Sequence, residues 1–126
     1  MTKKSLKTKA DQLFREIVRK DKICEWCGHP GIKSDFECAH IFSRRYLSTR
    51  WDLLNALCLC HACHRRAHSQ PVEFTEFVKE YLGPIPYQEL REKAKIMLGS
   101  SRIGRLKEVI EDLKFRKKAI DNQSLL

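Results

Sequence analysis

Apolar residues recur at helical spacing near the start of the chain. Ala10, Leu13, Phe14, Ile17 and Val18 form one stripe, with Lys and Arg on the outer face. That periodicity predicts an amphipathic helix over about residues 5–20. From Cys24 to His68 the pattern breaks into short apolar pieces with glycines at Gly28 and Gly31 and many side chains able to ligate a metal. Tight turns and coordination are expected to hold the backbone there, with a hairpin around His40 and a short helix from about His61 to His68. Helical spacing then resumes. Pro71 suits a first turn, Phe74, Phe77, Val78, Tyr81 and Leu82 form an inner face, and Gly83-Pro84-Ile85-Pro86 stops the helix. Leu90, Ala94, Met97 and Leu98 mark another helix. Beyond Gly99-Ser100-Ser101, the residues Ile103, Leu106, Val109, Ile110 and Leu113 mark a last one, with Arg105, Lys107, Lys114, Arg116, Lys117 and Lys118 on or beyond it. The tail after Asp121 is expected to fray. With no internal repeat or low-complexity linker, the expectation is one α+β domain over residues 1–126. Its ligand-rich centre at 24–68 lies between the N-terminal helix and a helical extension over about 71–120.

Composition narrows the picture. A chain of 126 residues leaves room for one modest core, which a metal staple would help. Its 25 Lys+Arg against 16 Asp+Glu give a net charge of +9, favouring polyanionic partners such as nucleic acid over acidic small substrates. The Lys-rich N-terminus lacks the apolar stretch of a signal peptide, and no segment approaches a membrane span, so a cytoplasmic location without a membrane partner is expected. In that reducing compartment six cysteines with two CxxC pairs read as metal ligands rather than disulfides.

Cys24/Cys27 and Cys60/Cys63 are two knuckles able to bring four thiolates around one tetrahedral Zn²⁺. Such a site is closed, so its role is structural, and its binding free energy becomes folding free energy. Cys38 and Cys58 read as small residues beside the core, although Cys58 could compete with Cys60. His29 and His61 read as surface residues, each placed so that it could replace one cysteine in a Cys₃His site.

His40-Ile41, Asn55 and the run Cys60-His61-Ala62-Cys63-His64 resemble, in order and spacing, the HNH nucleases with their ββα-metal motif, over about residues 24–68. The resemblance implies a zinc-stapled ββα-metal core flanked by terminal helices and a metal-dependent DNA endonuclease activity. It also implies the site: His40 as general base on the attacking water, Asn55 fixing the loop that orients it, and His64 holding a catalytic divalent metal. A neutral imidazole suits proton abstraction near pH 7. Mg²⁺, Mn²⁺ or a transition metal accepting nitrogen suits polarising the phosphate. The amide of Asn55 carries both donor and acceptor, as a bridge between two backbone segments requires.

One position departs from that family. Many members carry Asp or His immediately before the general base as a second metal ligand, and this chain has Ala39. His68, one helical turn after His64, could join it on the metal or contact phosphate. Asp35 and Glu37 are weaker candidates, and His40 itself could ligate. A more distant resemblance, to phage NinG-like recombination proteins, lies in Cys38-Ala39-His40-Ile41-Phe42-Ser43-Arg44. It implies a phage or bacterial-host setting and branched or recombining DNA. Arg44, Arg45, Arg65 and Arg66, with Arg50, bracket the centre as candidate phosphate clamps. Trp51 and Tyr46 pack the loop or stack on a base.

Three functions fit the residues: a DNA endonuclease, a non-catalytic zinc-bound nucleic-acid-binding module, and a redox protein using Cys24 and Cys27. The last requires a βαβ setting that the flanking sequence lacks. Monomer and homodimer are both open, because an apolar face on a terminal helix serves a core or a dimer equally.

Overall fold

A computed structural model describes residues 2–96 and 103–123. The first helix, α1, spans Lys3–Val18, capped by Thr2, whose hydroxyl accepts from the Ser5 N–H at 3.1 Å. Its buried residues Leu6, Ala10, Leu13, Phe14 and Ile17 repeat every three or four positions, so one stripe faces inward. The first knuckle and a 3₁₀ turn over Lys33–Asp35 lead to β1 (Phe36–His40). The strand β2 (Ala56–Cys60) pairs with it antiparallel, in a register that sets Phe36 opposite Cys60, Cys38 opposite Cys58 and His40 opposite Ala56. His40 therefore ends the first strand of an antiparallel pair, in line with the hairpin expected around it. A long loop, 41–55, joins the strands.

Then come α2 (His61–Ser69), α3 (Pro71–Leu82), α4 (Pro84–Ala94) and α5 (Ile103–Gln123). Gly83 adopts φ +91°, which L side chains rarely reach, and Pro84 opens the next helix directly. The Gly-Pro-Ile-Pro segment thus ends one helix and begins another without a loop between them. On α3, Phe74 and Val78 are buried whereas Tyr81, expected on the inner face, is exposed. Met97, Leu98 and the Gly99-Ser100-Ser101 break lie outside the described residues. Helix α5 stays regular through Gln123, and residues 124–126 of the tail expected to fray lie outside the described residues.

Two apolar cores result. In one, α1 and α5 close over Trp51 and Ala56, with Phe14 and Leu106 at its centre. In the other, β1 and β2 pack against the first knuckle, α2 and α3 through Phe36, Leu57, Leu59, Phe74 and Val78. Val18 touches both. The fold is thus α+β, with five helices and a two-stranded sheet among the described residues. None of those helices is long and apolar enough to cross a membrane.

Candidate functional site

Each knuckle is shaped by its own backbone. The Cys24 carbonyl accepts from the Gly28 N–H (2.8 Å), Gly28 takes φ +77°, and the Cys27 N–H points at Cys24 Sγ (3.5 Å). At the second knuckle Cys60 caps α2, its Sγ accepting from the Cys63 N–H at 3.5 Å. The Glu25 N–H donates to the Cys58 carbonyl (2.8 Å), which ties the first knuckle to β2. All four sulfurs lie within 4.8 Å of one another, and Cys27 Sγ and Cys60 Sγ are 3.9 Å apart. Sulfurs around tetrahedral Zn²⁺ are about 3.8 Å apart, so the cluster fits a metal such as zinc with little adjustment.

Burial opposes ionisation of Cys24, but N–H groups from Cys27, Cys60 and Trp26 outweigh it and bring the thiol to about 7. Burial instead pushes Cys38 to about 12 and Cys58 to about 11. Both lie outside the sulfur cluster, as do His29 and His61, so no Cys₃His alternative forms among the described residues.

A cleft of about 530 Å³ opens between β1, α2 and the start of α3, lined by His40, Arg44, His64 and His68 among others. The fold thus brings together three imidazoles that the sequence separates. His40 Nε2 lies 2.9 Å from the Arg50 carbonyl. A carbonyl only accepts, so the ring carries its proton on Nε2 and leaves Nδ1 with a free lone pair. Phe14 stacks on the ring at 5.4 Å. Burial holds the His40 pKa below its ordinary value. The charges of Arg44 and Arg50 add to this, while the Arg50 carbonyl and Asp11 oppose it.

Asn55 is fully buried and clamps the loop behind His40. Its Oδ1 accepts from the Phe42 N–H (2.8 Å), and its Nδ2 donates to the carbonyls of Phe42 and Thr49 (3.0 Å each). Across the cleft, His64 Nδ1 donates to the Glu37 carboxylate in a very short contact, leaving Nε2 for His68 Nε2 at 3.3 Å. Two imidazole nitrogens on one metal ion are roughly 3.0–3.4 Å apart, so this pair could share an ion. Ala39 is buried and supplies no donor. The Glu37 carboxylate sits on histidine N–H groups, the arrangement that orients a ligating imidazole from behind. Hydrogen bonding from His64, with His61 adding, outweighs its burial and keeps Glu37 below the usual carboxylate range.

His61 is more than a surface residue. Its Nδ1 faces Glu37 (2.8 Å) and its Nε2 the Ser34 carbonyl (2.9 Å). Satisfying both acceptors takes an imidazolium, in line with a pKa raised first by the Glu37 bond. Among the arginines, Arg44 is 57 % exposed and lines the cleft. Arg65 is exposed on α2, and Arg45 is exposed beside the Tyr46 hydroxyl. Arg66 is engaged by Glu73 and lies over the Trp26 ring. Arg50 is an internal group rather than a free clamp: its guanidinium, 15 % exposed, is bound by Asp11. Trp51 packs in the core with its indole N–H on the same carboxylate. Sequence reasoning missed Asp11. The available signal was an acid three residues before Phe14 and seven before Val18, on the edge of the apolar stripe of a mostly basic helix.

No protein-family model matches this chain, and the searches of curated proteins and of solved structures found no match.

Proposed function

We propose that this chain is an HNH-type endonuclease that hydrolyses DNA phosphodiester bonds. In this reading His40 is the general base, Asn55 clamps the loop behind it, and His64 with His68 hold a divalent metal; zinc on the four cysteines is structural. The observation that carries the reading is the single cleft onto which His40, His64, His68 and Arg44 converge. Neutral His40 takes the proton of the attacking water on Nδ1 while its Nε2–H stays on the Arg50 carbonyl, which steadies the imidazolium that forms. Exposed Arg44, Arg45 and Arg65 contact phosphates; Arg66 contributes less because Glu73 and Trp26 engage it. When bound, Mg²⁺, Mn²⁺ or another divalent ion polarises the phosphate and stabilises the leaving 3′ oxygen, so products carry 5′-phosphates. With four thiolates around it, the zinc has no place for water, and its part is in folding. A buried Ala39 in place of a ligand favours one rival, a zinc-bound module that binds nucleic acid without cutting.

Incubating zinc-loaded protein with supercoiled plasmid and Mg²⁺, Mn²⁺, Ni²⁺ or EDTA, beside His40→Ala, separates the two. Nicking that needs the added metal and falls by at least about 100-fold in the variant supports the nuclease. Retained DNA binding with no cleavage of plasmid or of branched DNA supports the module.

A further inference from the structure

We propose that α1 is part of the catalytic centre and that Asp11 is the positioning residue that fixes His40, acting through Arg50. This rests on His40 being the general base of the nuclease read above. The Asp11 carboxylate, 13 % exposed, receives four N–H bonds. Arg50 Nε (3.1 Å) and Trp51 Nε1 (2.9 Å) donate to Oδ1, while Arg50 Nη2 (2.7 Å) and Arg44 Nη2 (3.2 Å) donate to Oδ2. Its lone pairs are all used, and the paired bonds from Arg50 fix direction as well as distance.

Arg50 and Trp51 are neighbours in sequence, and one planar peptide joins them. The oxygen of that peptide is the Arg50 carbonyl to which His40 Nε2 donates at 2.9 Å. By gripping the side chains on both sides, Asp11 holds the peptide plane and so the acceptor that sets the tautomer and rotation of the imidazole. One turn further along α1, Phe14 holds the face of the same ring. The base is therefore positioned by a helix that lies wholly outside the zinc-bearing segment. The charged and titratable groups around His40 are Asp11 and Arg15 of α1, Arg44 and Arg50 of the loop, Cys38 of its own strand, and His64 and His68 across the cleft.

The test reads His40 itself, in long-range ¹H–¹⁵N spectra of the zinc-loaded full chain, alongside plasmid nicking. We expect the parent ring to be protonated on Nε2. In Asp11→Asn and Arg50→Lys the tautomer becomes mixed and kcat falls roughly 100-fold, the scale of a small misplacement, while KM changes little. The titration midpoint of His40 moves down in Asp11→Asn, which leaves two guanidiniums beside it uncompensated. The double variant is no worse than either single one, because both break the same link. A folded Asp11→Asn in which His40 keeps its tautomer, midpoint and kcat overturns the proposal, as does a parent ring protonated on Nδ1. If Asp11→Asn fails to fold, Trp51→Phe removes one of the two grips, and an unchanged tautomer there overturns it equally. A parent that cuts nothing, but whose His40 tautomer responds to Asp11→Asn, supports the link and sinks the nuclease reading instead.

Discussion

The two cores are built from different side chains, and the cleft is lined by residues from both. Around Trp51, α1 and α5 are joined by apolar side chains, with Phe14 and Leu106 almost completely buried. Around the sheet, the apolar set includes Cys24 and Cys63 of two knuckles whose four sulfurs could hold a metal ion. His40 belongs to the first region through Phe14 and the Arg50 carbonyl. His64 and His68 stand on α2, directly after the second knuckle. The proposed base is thus supported by hydrophobic packing and an ion pair, whereas the candidate metal ligands stand on an element that the proposed zinc would staple. Insults to one support should leave the other standing, at least in part.

Metal removal is the strongest way to press this difference. Structural zinc contributes on the order of 10 kcal/mol to folding in small domains. Chelation, or Cys63→Ser, is therefore expected to unfold the sheet region, while α1 and α5 retain helical signal and a protected Trp51. Leu106→Ala in the other core should cost about 2–5 kcal/mol and leave stoichiometric zinc in place. Circular dichroism, tryptophan emission and zinc content read both. If chelation leaves the sheet amides protected from hydrogen exchange, the sulfurs are not the staple.

Acidity acts on the other half. Because His40 is held below its ordinary pKa of about 6.5, it stays neutral at pH 7 and above, as the proposed general base requires. Cleavage is expected to fall tenfold per unit once the pH drops below its folded value. The sign for stability is the same. A depressed histidine contributes stability that is present above the unfolded value and is lost as the pH falls through the folded one. A rate that instead rises on acidification from pH 7 would mean that His40 is not the base.

Much of the fold was legible because its signals are local. The stripe Ala10, Leu13, Phe14, Ile17 and the Pro71 and Gly83 punctuation each report a helix within a few residues, and two CxxC pairs report a cluster wherever they meet. The order of His40, Asn55 and His64 pointed at the same segment, and the structure brings His40 and His64 onto one cleft with Asn55 behind them. What escaped was long-range pairing. Nothing near Asp11 tells that it will meet Arg50, thirty-nine positions on. Glu37 reads in sequence as one of the carboxylates near His40, and its place against His61 and His64 depends on strand register and helix phase together. In sequence Arg50 is indistinguishable from its neighbours Arg44 and Arg45, and only its partner on α1 sets it apart. Tyr81 fits the helical period, but only tertiary packing decides which part of an apolar face is covered.

Arg44 offers the smallest and sharpest test, because it stands between the two regions. It reaches back to Asp11 at 3.2 Å while 57 % of its side chain faces solvent at the cleft. That exposure makes the ion pair weak, under about 1 kcal/mol, so Arg44→Ala should leave the melting temperature nearly unchanged. Removing a phosphate contact should weaken DNA binding several-fold and reduce the slope of log affinity against log salt by about 1. Losing a positive charge that helps depress His40 should also move the acidic limb of the rate profile upward, opposite to the shift expected for Asp11→Asn. Binding titrations at several salt concentrations, with a pH profile of nicking, read both. An unaltered salt slope would mean that Arg44 serves only the ion pair with α1, and the cleft would then need another cation to meet the phosphate.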